Sequence, residues 1–506
     1  MKYRWKKRPY RHQVDAVKKL ISNQWGGALL MEPRTGKTKV AIDYASIMHM
    51  AGHVNRVLIV CPVGVMGVWV DQFAENCPVK YNLIIWDKHA RKKGHRKEQP
   101  LPPFGRNVLD VVIMNYDAFS TPGEIRGRGD DGELIRSKRK GGRYDVIKKL
   151  KAWQPQLMIL DESHRIKSPS ARKTTAVHQF VERVPYRLIL TGTVVTKSKR
   201  LFDVYSQWKF LNPDRFTIGD KPMNFGQFKS HYGEWKAMEN WSKWLGNKNV
   251  EELHQLIHMD AFSITREECY DLPPQTNQII HVELEESAEV YDRMAEDMVA
   301  RIETGEITEA SIRLVQRLRL QQITSGLFRT SPSIEYPDGR IYIGGSEKLD
   351  AIQSRLEDLM EADEKVVIGA LFKTDINRLE DMVKKMKVPV FVIKGGMKNE
   401  DREYSRTQFP RVSGGAVFIG QPAAAGEGID LSCASILQWY SLTPSWVNFR
   451  QFSDRIALSG KPTFHEFFLA RGTVDELLYE TLLEDGDIGK KMIQSPERLL
   501  RLQEGG

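Results

Sequence analysis

Only four cysteines occur in 506 residues, and Cys61, Cys77, Cys269 and Cys433 stand far apart with no paired spacing. That argues against both a zinc module and a disulfide framework, and fits a reducing compartment. No apolar run is long enough to span a bilayer, and the basic start MKYRWKKRPYRHQ lacks the apolar stretch of a signal peptide, so no membrane partner is expected. Short-period repeats and low-complexity tracts are missing too, which excludes solenoid and array architectures. What remains, with 41% apolar and 28% charged residues, is the composition of a soluble globular protein too long for one core. Its net charge of +10 suits a polyanionic partner such as nucleic acid, although charge alone does not single one out.

Short apolar runs alternate with helix-like segments through the first part: ALLM, RVLIVCP, DVVIMNY, LMILDES and RLILTGT. Buried strands that end in polar turns, with helices between them, predict an α/β fold with a parallel sheet covered on both faces. From about Asn212 to Asp271 the pattern turns helical and aromatic, with Trp235, Trp241 and Trp244 more suited to a core than to base stacking. The strand–helix alternation resumes at Ser346 with KVVIGAL, VPVFVIKGG, GAVFIGQP, SILQWY and FHEFFLARG. The expected organisation is a first lobe over 1–211, a helical insertion and linker over 212–275, a helical insertion of the second lobe over 276–345, a second lobe over 346–485 and a tail over 486–506. Two basic segments, Asp87–Lys97 and Gly123–Lys151, read as solvated surface, but their placement on either side of VVIMNYDAF raises the nucleic-acid reading.

Three polar motifs fall just after predicted strands, where ligands of parallel sheets bind. The first, LLMEPRTGKTKVAI, resembles a phosphate-binding loop whose opening glycine is replaced by Met31. Gly36 permits a tight turn aiming backbone N–H groups at phosphate, with Arg34 and Thr35 beside it. Lys37 reaches the β and γ phosphates, and Thr38 holds Mg²⁺ through its hydroxyl. In LMILDESH, Asp161 and Glu162 stand at the end of a buried strand, where uncompensated carboxylates would be costly. A metal-bound nucleotide compensates them, Asp161 orienting Mg²⁺ and its waters while Glu162 polarises the attacking water. The third motif is Thr191-Gly192-Thr193.

DESHRIKSPSA resembles the box of the Swi–Snf-type branch of helicase superfamily two, and the order of the other segments agrees. YRHQVDAV is similar to its glutamine motif, with Gln13 reading adenine; LTGT is similar to the motif coupling ATP to DNA; ITREECYDLPPQ matches the lead into its second lobe. AAGEGIDLSCASILQWYSLTPSW resembles the fifth motif and QFSDRIALSGK the sixth, and the likeness runs from Arg11 to about Leu483. The resemblance implies two RecA-like lobes with ATP between them, and a motor that tracks a nucleic-acid backbone largely independently of sequence. It assigns Gly428 and Asp430 to the nucleotide, Gln451 and Arg455 to catalysis, and His164, Thr191, Gly192 and Thr193 to coupling. Pro62, Asn115, Tyr116 and Gly426 become candidate DNA contacts.

Two departures accompany the likeness. The family's usual glycine in the phosphate loop is Arg34, which either adds a phosphate contact or, as expected, faces solvent; the second arginine of the sixth motif is Leu458, leaving Arg455 as the expected finger, with Arg450 or Lys461 as substitutes. The leading expectation is an ATP- and Mg²⁺-dependent, monomeric DNA translocase on duplex or branched DNA in replication or recombination, in bacterial cytoplasm or a phage-infected cell. A nucleotide-gated DNA clamp with weak hydrolysis and an RNA helicase are the alternatives.

Overall fold

Runs such as GGALLM and RVLIVC are buried almost from end to end, as strands covered on both faces must be. The computed structural model describes residues 3–86, 101, 107–119, 125–128, 134–136, 149–196, 201–238, 242–270, 274–303, 309–328, 341–342, 345, 347–426, 428–457 and 460–493. The chain divides into two units, Met1–Tyr270 joined by the chain from Asp487 on, and Asp271–Gly486.

The first unit is built on strands β1 (Gly26–Met31), β2 (Arg56–Cys61), β3 (Tyr81–Trp86), β4 (Leu109–Asn115), β5 (Leu157–Asp161), β6 (Tyr186–Thr191) and β7 (Ala261–Ile264). They form one parallel sheet in the order β7-β1-β6-β5-β2-β4-β3. Alternation along β1 sends Ala28 and Leu30 into one core and Leu29 and Met31 into the other. Helices α1 (Arg11–Ser22), α2 (Lys37–Met50) and α3 (Met66–Asn76) pack on the Leu29 face, and α4 (Arg172–Val181) and α5 (Asp203–Leu211) on the Leu30 face.

In the second unit, β8 (Gln275–Val282), β9 (Lys365–Gly369), β10 (Val390–Ile393), β11 (Ala416–Gly420), β12 (Ile436–Trp439) and β13 (Thr463–Ala470) form a parallel sheet ordered β8-β13-β12-β9-β11-β10. Its flanking helices include α6 (Glu347–Glu361), α7 (Lys373–Lys385), α8 (Trp446–Ser453) and the part of α9 (Val474–Ile493) up to Gly486. A polar network lies inside this unit. Lys348 of α6 sits 2.7 Å from Asp475 of α9, both buried, and the same carboxylate accepts from Thr324 Oγ1 and the Ala470 N–H. Nearby, Asp375 of α7 is fully buried and accepts a 2.8 Å hydrogen bond from Ser441 Oγ. Burial pushes its carboxyl up to about 7, with Ser441, Lys348 and Arg378 opposing the rise.

The α/β class and both parallel sheets agree with the expectation, but the two intervening segments are not purely helical. Within 212–275, β7 joins the first sheet, and the helix Phe225–Tyr232 gives way to a hairpin of Gly233–Ala237 with Ser242–Asn247. Trp235 faces Trp244 across that hairpin and stacks on Phe202, so these aromatics are core material; Trp241 lies outside the described residues. Within 276–345, β8 pairs with β13 before the helices Ala288–Glu303 and Glu309–Thr324 begin. Leu458, Asp87–Lys97 and most of Gly123–Lys151 also fall outside the described residues. Among the described residues no helix is long and apolar enough to cross a membrane.

Candidate functional site

Met31, Thr191 and Asp161 end or nearly end β1, β6 and β5, three adjacent strands in parallel register, so the three polar motifs emerge side by side at one sheet edge. The loop after β1 turns twice through left-handed backbone, at Arg34 (φ 69°) and Gly36 (φ 92°). For Arg34 that conformation costs about 1–2 kcal/mol, the reason glycine is usual there. Hydrogen bonds offset the cost. The Arg34 carbonyl accepts from Tyr270 Oη at 3.0 Å, the Thr35 hydroxyl donates to the Glu32 carbonyl at 2.8 Å, and the Thr35 carbonyl accepts from His12 Nε2 and Gln13 Nε2. These bonds hold the loop around Arg34, which is half-buried rather than fully exposed. Gly36 cannot be replaced so easily: a Cβ there would lie 2.1 Å from Gln13 Nε2. Gln13 is buried against the loop, with its Oε1 accepting from the Tyr10 N–H. Gly192 is held for a different reason, since its Cβ would fall 2.9 Å from Pro33 Cδ and separate the third motif from the first.

Lys37 and Thr38 open α2, and Lys37 Nζ donates to the Met31 carbonyl at 2.7 Å, folding the ammonium over the loop. Glu32 is fully buried beside Arg266, whose Nε is 3.4 Å and whose backbone N–H is 3.1 Å from Glu32 Oε2. Asp161 is largely buried, and its Oδ2 accepts from Trp69 Nε1 at 2.8 Å. Glu162 takes left-handed backbone (φ 55°) and points its carboxylate at His164 Nδ1, 3.3 Å away. Burial alone would raise the Glu162 carboxyl, but His164, Lys37 and Arg165 outweigh it and hold the group below its ordinary range. Ser163 Oγ donates to Gln207 Oε1 at 2.6 Å, and Gln207 Nε2 donates to the Val194 carbonyl, so a fully buried glutamine joins the carboxylate motif to the segment after Thr193. Thr191 and Thr193 are bonded to each other, hydroxyl to main chain.

Among the described residues no group of three or more His, Cys, Asp or Glu side chains could hold a metal by itself. A metal at this edge would rest on Asp161, the Thr38 hydroxyl and ligand phosphates, a donor set of hard oxygens that fits Mg²⁺. Pro62 follows β2 and Asn115 ends β4, the next strands along the same edge. Asn115 Oδ1 accepts from the Ala118 N–H, and Tyr116 is buried with its hydroxyl donating to the Asp161 carbonyl at 2.8 Å.

In the second unit, Gly426, Gly428 and Asp430 form the loop beyond β11, and Gln451 lies on α8. Asp430 is exposed and caps its own turn through the Ser432 N–H. Arg455 spreads its guanidinium over three carbonyls: Nε to Gln451 at 2.9 Å, Nη1 to Ile429 at 3.2 Å, and Nη2 to Gly426. Within its unit, then, Arg455 braces the 426–430 loop against α8.

Residues 12–326 match the SNF2-related domain, and residues 347–460 match the helicase conserved C-terminal domain. The chain belongs to the SNF2-related family. It is 22% identical over 431 residues to a probable chromatin-remodeling complex ATPase chain of Oryza sativa subsp. japonica, which covers 83% of this chain and 35% of that protein. It is 21% identical over 510 residues to an uncharacterized ATP-dependent helicase of Mycoplasma pneumoniae, covering 97% of this chain and 43% of the relative. The chain thus spans less than half the length of these two curated relatives. Among solved structures, the Sulfolobus solfataricus SWI2/SNF2 ATPase core in complex with dsDNA aligns over 97% of this chain and 94% of that one, with 19% identity and a TM-score of 0.41. The two parallel-sheet units of this SNF2-related chain correspond to its two matched regions, the SNF2-related domain falling mainly on the first and the helicase C-terminal domain on the second. The buried partners Glu32, Arg266, Trp69 and Gln207 escaped the sequence reading, because each meets its partner only through the fold.

Proposed function

We propose that this SNF2-related chain is a DNA-dependent ATPase that uses Mg²⁺-ATP to translocate on double-stranded or branched DNA, remodelling forks or junctions in replication or recombination. The reading is carried by one observation, the emergence of the phosphate loop, the Asp161–Glu162 pair and the Thr191–Thr193 segment at the ends of adjacent strands. The net charge of +10 supports a polyanionic partner. A monomer working in the cytoplasm of a bacterium or a phage-infected cell is the proposed setting.

In this reading the N-terminus of α2 and the amides around Gly36 receive phosphate, Lys37 exchanges the Met31 carbonyl for phosphate oxygen, and Gln13 contacts adenine. Asp161 and Thr38 hold Mg²⁺, which neutralises charge on the β and γ phosphates when bound. Glu162, ionised beside His164, orients the attacking water and accepts its proton. Thr191 to Thr193 and His164 couple the site to DNA, which Pro62, Asn115, Tyr116 and Gly426 contact largely through the backbone. Gly428 and Asp430 serve the nucleotide from the second lobe, and Arg455 serves the γ-phosphate.

Leu458 in place of the sixth motif's second arginine, and Arg34 in the phosphate loop, favour one rival, a nucleotide-gated DNA clamp with slow hydrolysis. Phosphate release measured in parallel with duplex DNA, single-stranded DNA and RNA, together with ATP-driven displacement of a third strand from a duplex, separates the readings. Duplex stimulation with strand displacement supports the translocase. No stimulation by any nucleic acid favours the clamp, and preference for RNA overturns the substrate assignment.

A further inference from the structure

Asp161 stands where two groups of strands meet. On one side β6 leads to the Thr191–Thr193 segment and β1 to the phosphate loop; on the other β2 and β4 lead to Pro62 and to Asn115–Tyr116. Two hydrogen bonds cross from the second group to this one residue. Trp69, in the first turns of α3 and nearly inaccessible, donates its indole N–H to Asp161 Oδ2 at 2.8 Å. Tyr116 donates its hydroxyl to the Asp161 carbonyl at 2.8 Å, gripping the end of β5 from the turn that follows β4. The turn that starts α3 faces solvent, with Val63 65% exposed immediately after Pro62. Each grip thus reaches from a segment bordering accessible surface to Asp161, Trp69 to its nearly buried carboxylate and Tyr116 to its main-chain carbonyl.

A hydrogen bond from the indole N–H restrains the orientation of the Asp161 carboxylate. A hydrogen bond to an ionised group is among the stronger ones in proteins, and it is directional. Resting on the function proposed above, we infer that Trp69 and Tyr116 are positioning residues that make the metal-binding geometry of Asp161 depend on nucleic acid. A phosphate backbone seated at the Pro62 and Asn115 turns holds α3 and the 116–119 turn in place, and through them the carboxylate. Linkage makes the effect reciprocal: whatever factor the duplex adds to metal-dependent nucleotide affinity, metal-bound nucleotide adds to duplex affinity.

The test is titration calorimetry of a slowly hydrolysed ATP analogue on the full chain, with Mg²⁺ or EDTA, and with or without duplex DNA. Trp69→Phe keeps the ring and removes only the donor. The expected result is an unchanged affinity in EDTA, a Mg²⁺-dependent gain reduced about tenfold, and loss of the further gain from duplex. A purely structural role would weaken binding equally with and without metal. If Trp69→Phe keeps both the Mg²⁺ factor and the duplex factor, the inference fails while the ATPase reading stands. If the unaltered chain binds no nucleotide, that reading fails and takes the inference with it. Tyr116→Phe, which loses one hydroxyl, is measured in the same way should Trp69→Phe not fold, and a retained Mg²⁺ factor and duplex factor there overturn the inference equally.

Discussion

Replacing Gly36 by alanine should damage the first lobe through two separable effects. The backbone at Gly36 is left-handed (φ 92°), which costs an alanine about 1–2 kcal/mol. The new Cβ would also lie 2.1 Å from Gln13 Nε2, so the Gln13 amide must leave its place. Its bonds to the Thr35 carbonyl at 3.3 Å and from the Tyr10 N–H at 3.1 Å would go with it. Each is worth about 0.5–1.5 kcal/mol, which brings the Gly36→Ala penalty to roughly 2–5 kcal/mol. In a Gln13→Ala background the collision disappears and the penalty should shrink to the backbone cost of about 1–2 kcal/mol. Differential scanning calorimetry of the four full-length proteins completes the cycle, with each kcal/mol displacing the lobe's transition by about 2–4 °C. Equal Gly36→Ala shifts in both backgrounds would refute the packing of Gln13 against the loop.

Three further outcomes follow from the second unit. Asp375 is raised from 3.8 to about 7, so its stabilising contribution is complete below about pH 4 and disappears as the pH climbs through about 7. Relative to Asp375→Asn, the unaltered chain should lose up to ~4 kcal/mol of stability between those limits, and parallel melting curves from pH 4 to 8 would contradict the burial. Lys348→Met leaves the buried Asp475 carboxylate without its cation and should cost about 3–5 kcal/mol, most of it regained in the Lys348→Met, Asp475→Asn double variant. Arg455→Ala should slow duplex-stimulated phosphate release by roughly a hundredfold or more while nucleotide binding persists; unchanged turnover would leave Arg455 as a brace of the 426–430 loop alone.

The strands that carry the motifs were legible because both faces are buried: the apolar stretches Leu157–Leu160 and Leu188–Leu190 have no polar position to confuse with a surface helix. The strands that escaped are edges. Strand β8, QTNQIIHV, is exposed along most of its length and β7, AFSI, is short, so neither presents a long apolar run; β3, which also closes a sheet margin, is only partly buried. The Trp235–Trp244 hairpin was hidden for another reason, since its aromatics fit helical spacing as well as cross-strand pairing. In the site, residues that act on a ligand could be read from local order, whereas their supports could not. Trp69 is 92 positions from Asp161, and Glu32 lies 234 from Arg266. Glu32 offered one hint, a carboxylate directly after an apolar strand that needs a cation somewhere in the fold. The left-handed turn at Arg34 could not be foreseen either, because the bonds holding it come from Tyr270 and Thr35.

The most direct measurement is the initial rate of phosphate release from Mg²⁺-ATP, with and without duplex DNA, for the unaltered chain and for Lys37→Ala. A nucleotide site on the Gly36–Thr38 loop predicts release that rises at least about tenfold with duplex and vanishes in the variant. Release that ignores both the duplex and the loss of Lys37 would contradict it.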